Sequence, residues 1–496
     1  MPVFKNQTGW LTRGRMMKKV WGRLIGVLVI SLAAPGRADP GLFRAGAARG
    51  NITPELGNGI VGGFTTFPAT HVHDDLWVRC LALDDGKTRL AFAVCDLIGF
   101  ESCVSGEARR LVQEETGLPA CNLLVSATHT HSAVCARGDI DIYTANPKMT
   151  AYQKAVARRI ADTVRCALNN LAPARIGWAT ATEPRHVFNR RWLMKPGTVS
   201  ADPFGGTNDL VKTNPGRLNP NVVKPAGPTD PEICFFAVQT PEGRPIALFA
   251  NYSLHYVGGV RGADISADYY GMFNDRIQQL LGADRQDPPF VSIMSNGTSG
   301  DINNIDFTKP GEKLPPYAKM RIVANDVAQK VHAAYQTIQW RDRVTLGASV
   351  GELEMRLRHP TPEQLAWAEA VLRAKAADGK GDAMKSYFAE RHVRMAKEPE
   401  YVKVPLQVLR VGEVGIAAMP FEVFCGTGLE MKRRSPFKPT FVVGLANGCF
   451  DYLPTPEQHK LGGYETWLES SLLEPDAEPK IVETLLGMLT RLQKGE

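Results

Sequence analysis

"VSATHTHSAVC", Val125–Cys135, continues the apolar run "CNLL" (121–124) and then breaks it. Two histidines, His129 and His131, stand one residue apart where the run stops. This reads as a buried strand giving way to a loop. Functional groups collect at such strand ends in α/β sheets, because the sheet fixes geometry and the loop carries the chemistry.

Five other runs share this character: "RLAFAVCDLIGF" (89–100), "RPIALFANYSLHY" (244–256), "PPFVSIMSNGTSG" (288–300), "EVGIAAMPFEVF" (413–424) and "TFVVGLANGCF" (440–450). Continuous apolar runs suit central strands covered on both faces. Apolar residues spaced by three and four predict helices over 150–172, 316–338 and 479–493. The charged stretch 361–402 reads as a helical surface insertion or lid. Residues 195–232, dense in Gly, Pro and Asn, read as a long irregular segment, and such segments inside domains are usually functional. No internal repeat is visible. Alternating strands and helices predict an α/β fold in one large domain spanning 39–496.

The chain is 44% hydrophobic and 22% charged, ordinary values for a soluble globular protein. Its first residues differ. "TRGRMMKKVWGR" (12–23) is basic, "LIGVLVISLAA" (24–34) is apolar, and "PGRADP" follows. A basic start, a short apolar stretch and a small-residue exit predict a signal peptide over 1–38 and a secreted or periplasmic protein. That leader holds seven Lys/Arg and no acid, which accounts for the whole net charge of +7. The remainder is neutral, so nothing points to nucleic acid. Nine cysteines, an odd number without a CxxC pair, give no disulfide framework and read mostly as buried thiols.

The apolar runs lead to His129 and His131, His255, Ser299 and Asp301, Glu422, and Tyr452. Two neutral imidazoles and a carboxylate, here His129, His255 and Glu422, make a catalytic zinc set with a position open for water or substrate. Side chains one residue apart in extended chain point the same way, so one of His129 and His131 suits metal and the other substrate. Small residues around Ser299 permit close approach of a ligand, and the same composition suits a plain turn.

Taken together, these segments resemble the neutral/alkaline ceramidase family, specifically its catalytic N-terminal domain without the C-terminal sandwich domain. The resemblance rests on "AGAARGNITPELGNGIVGGF" (45–64), "SATHTHSA", "FNRRW" (188–192), "NYSLHYVGG", "SNGTSGDINN", "MPFEVF" and "LANGCFDYLPTPEQHKLGGYET" (445–466). Two motifs depart from the family pattern: Pro420-Phe421-Glu422 stands for Pro-Gly-Glu, and Cys449 follows Asn447-Gly448 where a tyrosine is usual. The resemblance implies mixed β-sheets flanked by helices and a Zn2+-dependent amidase acting on N-acylated lipids such as ceramide, a reaction of sphingolipid metabolism. It implies His129, His255, Glu422 and Tyr452 as metal ligands and Ser299 as nucleophile. It also implies His131 as oxyanion or proton-handling residue and Arg190 as a substrate contact. A lipid or other acyl-amide is the expected partner, with contact to a membrane surface. A zinc hydrolase of another amide or ester, and a non-catalytic exported binding protein, remain as alternatives. Ser299 and a metal-activated water remain as alternative attacking groups.

Overall fold

The computed structural model describes residues 42–64, 66–134, 149–378 and 382–496. The signal peptide expected over 1–38, and Cys135, lie outside these residues. Residues Pro40–Glu496 form one compact unit.

Three sheets carry it. The first runs β4-β3-β2-β1, from β1 (Arg44–Asn51), β2 (Trp77–Asp84), β3 (Arg89–Cys95) and β4 (Leu123–Ala127), and ends on the short strand Ala172–Pro173. The second runs β8-β7-β6-β5, from β5 (Arg175–Thr182), β6 (Glu232–Gln239), β7 (Pro245–Tyr252) and β8 (Val291–Asn296). The third runs β9-β10-β11-β13, from β9 (Leu346–Arg356), β10 (Tyr401–Val411), β11 (Val414–Ala418) and β13 (Thr440–Val443). In each, three strands meander antiparallel, and a helical crossover then adds a fourth in parallel. The crossovers are α1 (Ser102–Thr116), α3 (Asp268–Leu280) and α7 (Cys425–Arg434). A further helix follows each sheet: α2 (Ala151–Asn169), α4 (Ala318–Tyr335) and α9 (Ala477–Lys494). The sheets are therefore mixed and flanked by helices.

The same order of elements occurs three times, although no repeat is legible in the sequence. Topology depends only on where apolar strands alternate with crossovers, and different side chains satisfy that pattern in each unit.

The apolar runs are indeed the strands 89–95, 123–127, 245–252, 291–296, 414–418 and 440–443. Three of them, β4, β8 and β13, are terminal rather than central in their sheets, yet every residue in them is buried. The reason is that the three edges meet. Ser126 bridges Ala446, Asn447 N–H donates to Val125 O at 2.7 Å, and Gly444 N–H donates to Asn296 O at 3.1 Å. Edge groups that would otherwise template aggregation are thus paired inside the domain. Phe92, Phe249 and Phe441, one from each sheet, pack across the junction at centroid distances of 5.2 and 5.9 Å. Burying each ring contributes about 1.5–3 kcal/mol.

The predicted insertion at 361–402 is a helical hairpin, α5 (Pro362–Asp378) and α6 (Ala383–Met395), which continues into β10. Among the described residues Cys80, Cys95, Cys103, Cys121, Cys166, Cys234 and Cys425 are free thiols, and Cys80, Cys95, Cys234, Cys425 and Cys449 are buried. No described helix is long and apolar enough to cross a membrane.

Candidate metal centre

Parallel strands end on the same side, so β3/β4, β7/β8 and β11/β13 deliver their following loops to one place. His129 leaves β4 with a left-handed backbone, φ 74°, held by its N–H to Leu97 O at 2.9 Å. That conformation is uncommon outside glycine and persists only where the surroundings impose it. Its Nδ1 donates to Ile98 O at 2.7 Å, at the end of β3. His131 Nδ1 donates to Gly62 O at 3.0 Å. A Cβ on Gly62 would stand 2.5 Å from His131 O, so only glycine lets this pair approach. Beyond β7, His255 Nδ1 donates to Ser299 O at 3.0 Å.

These three bonds fix one tautomer. A carbonyl only accepts, so each Nδ1 carries the proton and each Nε2 presents a lone pair. One nitrogen from each ring lies within 4.8 Å of the others, and His129 and His131 Nε2 are 3.1 Å apart. Burial, with His129 beside it, pushes His131 down to about 3. Burial and then Arg190 hold His255 well below the usual imidazole range. Both rings are therefore neutral at neutral pH.

Glu422 arrives on the two-residue strand β12 (Glu422–Val423), which pairs in parallel with β14 (Tyr452–Leu453) so that Glu422 lies opposite Tyr452. Glu422 Oε2 is buried and has no hydrogen-bond partner, although it lies 3.2 Å from His129 Nε2 and 3.9 Å from His255 Nε2. Burial opposes ionisation of this carboxyl, but the Arg190 guanidinium and the Tyr452 hydroxyl act against it, and Glu422 lies below its ordinary range. Acceptor faces acceptor here, an arrangement that costs free energy unless a cation lies between. Imidazoles oriented through Nδ1 to carbonyls, with a buried carboxylate, form a donor set suited to zinc. Tyr452 OH completes the ring of donors beside Glu422.

Arg190 closes one side. Its Nη2 donates to Tyr452 OH at 3.0 Å and its Nη1 lies 3.4 Å from His255 Nε2. Behind it stands a residue that the sequence did not single out. Glu465, fully buried, accepts from Arg190 Nε at 2.9 Å, from Arg191 Nη1 at 2.6 Å and from Thr213 at 2.6 Å. Asp301 ties the same region together, accepting from Cys425 N–H at the start of α7 and from Asn189. Burial pushes its carboxyl up to about 6.

His129, His131, His255, Glu422, Tyr452 and Arg190 thus converge. Ser299 does not join them on the same side. Its Oγ donates to Asn296 Oδ1 at 2.8 Å and lies 3.5 Å from His255 Nδ1, the nitrogen facing away from the cluster.

Above the cluster opens a cavity of about 550 Å³. The irregular segment supplies Val199 and Val211 to its walls, α6 supplies Met384 and Tyr387, and Tyr464 and Trp467 add aromatic surface. Among the described residues a second group, Glu183, His186 and Asp326, could also hold an ion. Its carboxylates are already paired with Arg185.

No protein-family model matches the sequence, and no curated protein matches it. Solved structures do. Neutral ceramidase from Pseudomonas aeruginosa aligns over 92% of this chain and 75% of that chain, with a TM-score of 0.65 at 17% identity. The fold is that of the neutral ceramidases. A ceramidase complexed with C2 aligns over 92% and 76%, with a TM-score of 0.66 at 16% identity. In this ceramidase fold the strand ends described above form the floor of the cavity.

Proposed function

We propose that this chain is an exported zinc-dependent amidase that cleaves the amide of an N-acylated lipid, with ceramide the first substrate to test. The observation that carries the reading is the grouping of nitrogens from His129, His131 and His255 beneath an open cavity, with the buried Glu422 Oε2, which has no hydrogen-bond partner, 3.2 Å from His129 Nε2 and 3.9 Å from His255 Nε2. His129, His255, Glu422 and Tyr452 are the residues that would hold the ion. Zinc bound there supplies Lewis acidity toward an amide carbonyl and toward water.

The chain's own groups do the rest. His131 is the least buried of the three imidazoles, stacks on Tyr256 at 3.8 Å and borders the cavity. Its Nε2 is placed to take a proton from the attacking water and pass it to the amide nitrogen as the C–N bond breaks. Arg190 donates toward negative charge developing on the carbonyl oxygen, a contribution of about 3–4 kcal/mol in such sites. Water rather than Ser299 is the attacking group, because Ser299 Oγ sits behind His255. Aromatic and aliphatic walls, with Phe64, Phe67 and Leu210 exposed, support an apolar acyl chain and contact with a lipid surface. The basic and apolar segments over 12–34 support export.

The test is hydrolysis of ceramide beside N-acyl amino acids and acetylated sugars. Cleavage of acyl-amides that is lost on chelation and restored by zinc is expected. Activity unchanged by exhaustive metal removal, or no cleavage by zinc-loaded protein, overturns the reading.

A further inference from the structure

One wall of the cavity is acidic in a way the metal cluster does not need. Asp209, Asp451 and Glu469 all border it. Asp209 accepts from Trp467 Nε1 at 2.8 Å. Arg391 reaches the other two from α6, with Nη2 donating to Asp451 Oδ2 at 2.8 Å and Nε to Glu469 Oε2 at 3.1 Å. Glu469 is only 1% exposed, and its Oε1 is buried with no hydrogen-bond partner. Its backbone is left-handed, φ 76°, a cost that must be compensated locally. Tyr452 N–H donates to Ser470 O at 2.9 Å, which fixes the Glu469–Ser470 segment against the strand carrying Tyr452.

A buried carboxyl oxygen without a donor is costly, and a ligand that brings one recovers that cost on binding. Arg391 and Arg394 both act on Glu469, so it is the bare Oε1, rather than a net charge on the wall, that favours an incoming donor, best a cationic one, and disfavours an anion.

We infer that Glu469 is a specificity-determining residue whose Oε1 receives a hydrogen-bond donor on the amine side of the scissile amide, best a protonated amine and worst a carboxylate. The inference rests on the amidase reading above. Burial pushes the Glu469 carboxyl up to about 7, so at pH 8 it is mostly ionised and its Oε1 is an acceptor.

The experiment compares three amides of one acyl chain at pH 8: N-octanoyl-diaminoethane, N-octanoyl-ethanolamine and N-octanoyl-glycine. In the wild-type protein kcat/KM should rank ammonium over hydroxyl over carboxylate, with the extremes about a hundredfold apart. In Glu469→Gln the ammonium-to-carboxylate ratio should fall about tenfold, through KM. A wild-type protein that cleaves the glycine compound as well as the ammonium compound overturns the inference, and this arm needs no variant to fold. So does a Gln variant that keeps the full ratio. If zinc-loaded protein cleaves none of the three, the amidase reading fails instead. Calorimetric binding of the same compounds to both proteins then decides the role of Glu469 by the same ranking.

Discussion

His129 and His131, two residues apart in the chain, bring their Nε2 atoms to 3.1 Å while their Nδ1 atoms donate to different carbonyls, Ile98 and Gly62. The turn at His129, with φ 74°, makes this convergence. Each ring is held at its back, and His129 Nε2 lies 3.2 Å from Glu422 Oε2. Holding a ring by its far nitrogen sets the orientation and basicity of the near one.

Ser299→Ala tests the attacking group. Because Ser299 Oγ is bonded to Asn296 on the far side of His255, kcat/KM should stay within about tenfold of wild type. Loss of a true nucleophile costs far more, on the order of a millionfold in a well-studied hydrolase. Steady-state kinetics with zinc-loaded protein separates the two outcomes.

Gly300→Ala should damage the metal centre without touching a ligand. A Cβ there would stand 2.5 Å from Glu422 O, and Gly300 N–H already donates to Val423 O at 2.8 Å. Glu422 must shift, and zinc affinity should fall about 10–100-fold, as for other losses of ligand support. Competition with a chelator of known affinity measures this.

Six strands and the helices α2, α4 and α9 were legible because their apolar runs are continuous or spaced by three and four, whereas the crossover helices α1, α3 and α7 were not read. The proximity of His129, His131, His255, Glu422 and Tyr452 was legible because those runs end on or shortly before them, whereas Arg190 was marked only by the resemblance. Glu465 was not, since nothing local marks it. Its meaning comes from Arg190 and Arg191, some 275 positions away in the chain. The same holds for Glu469 with Arg391, and for Met384 and Tyr387, whose helix reads as solvent-facing until the cavity beside it is seen. The shared topology of the three sheets was hidden for a related reason, because each unit buries different apolar side chains behind the same crossover.

Glu465→Ala should destabilise the protein by about 3–5 kcal/mol, because it leaves two buried guanidinium groups without their partner. Arg190→Ala should cost less, since Arg191 and Thr213 still satisfy Glu465. Urea unfolding of the two variants checks the order.

In zinc-free protein His131 and His255 should contribute a loss of stability as pH falls from neutrality. In the unfolded chain His131 and His255 take protons near pH 6.5. In the fold burial holds both far lower, about 3 for His131. Between those limits the unfolded chain binds more protons, so acid favours unfolding. The raised carboxyls of Asp301 and Glu469 act in the opposite direction, equally in any histidine variant. His255→Asn should therefore lose less stability than wild type between pH 7.5 and 5.0 in urea titrations. An equal loss in both proteins would mean that His255 is not held neutral.

The central claim is that groups from three sheets surround one cation, and metal analysis of the purified protein meets it most directly. One zinc per chain in the wild type is predicted, and none in His129→Ala and His255→Ala variants that keep the native circular dichroism. Zinc retained in both variants, or a wild-type protein that is fully active without metal, would contradict it.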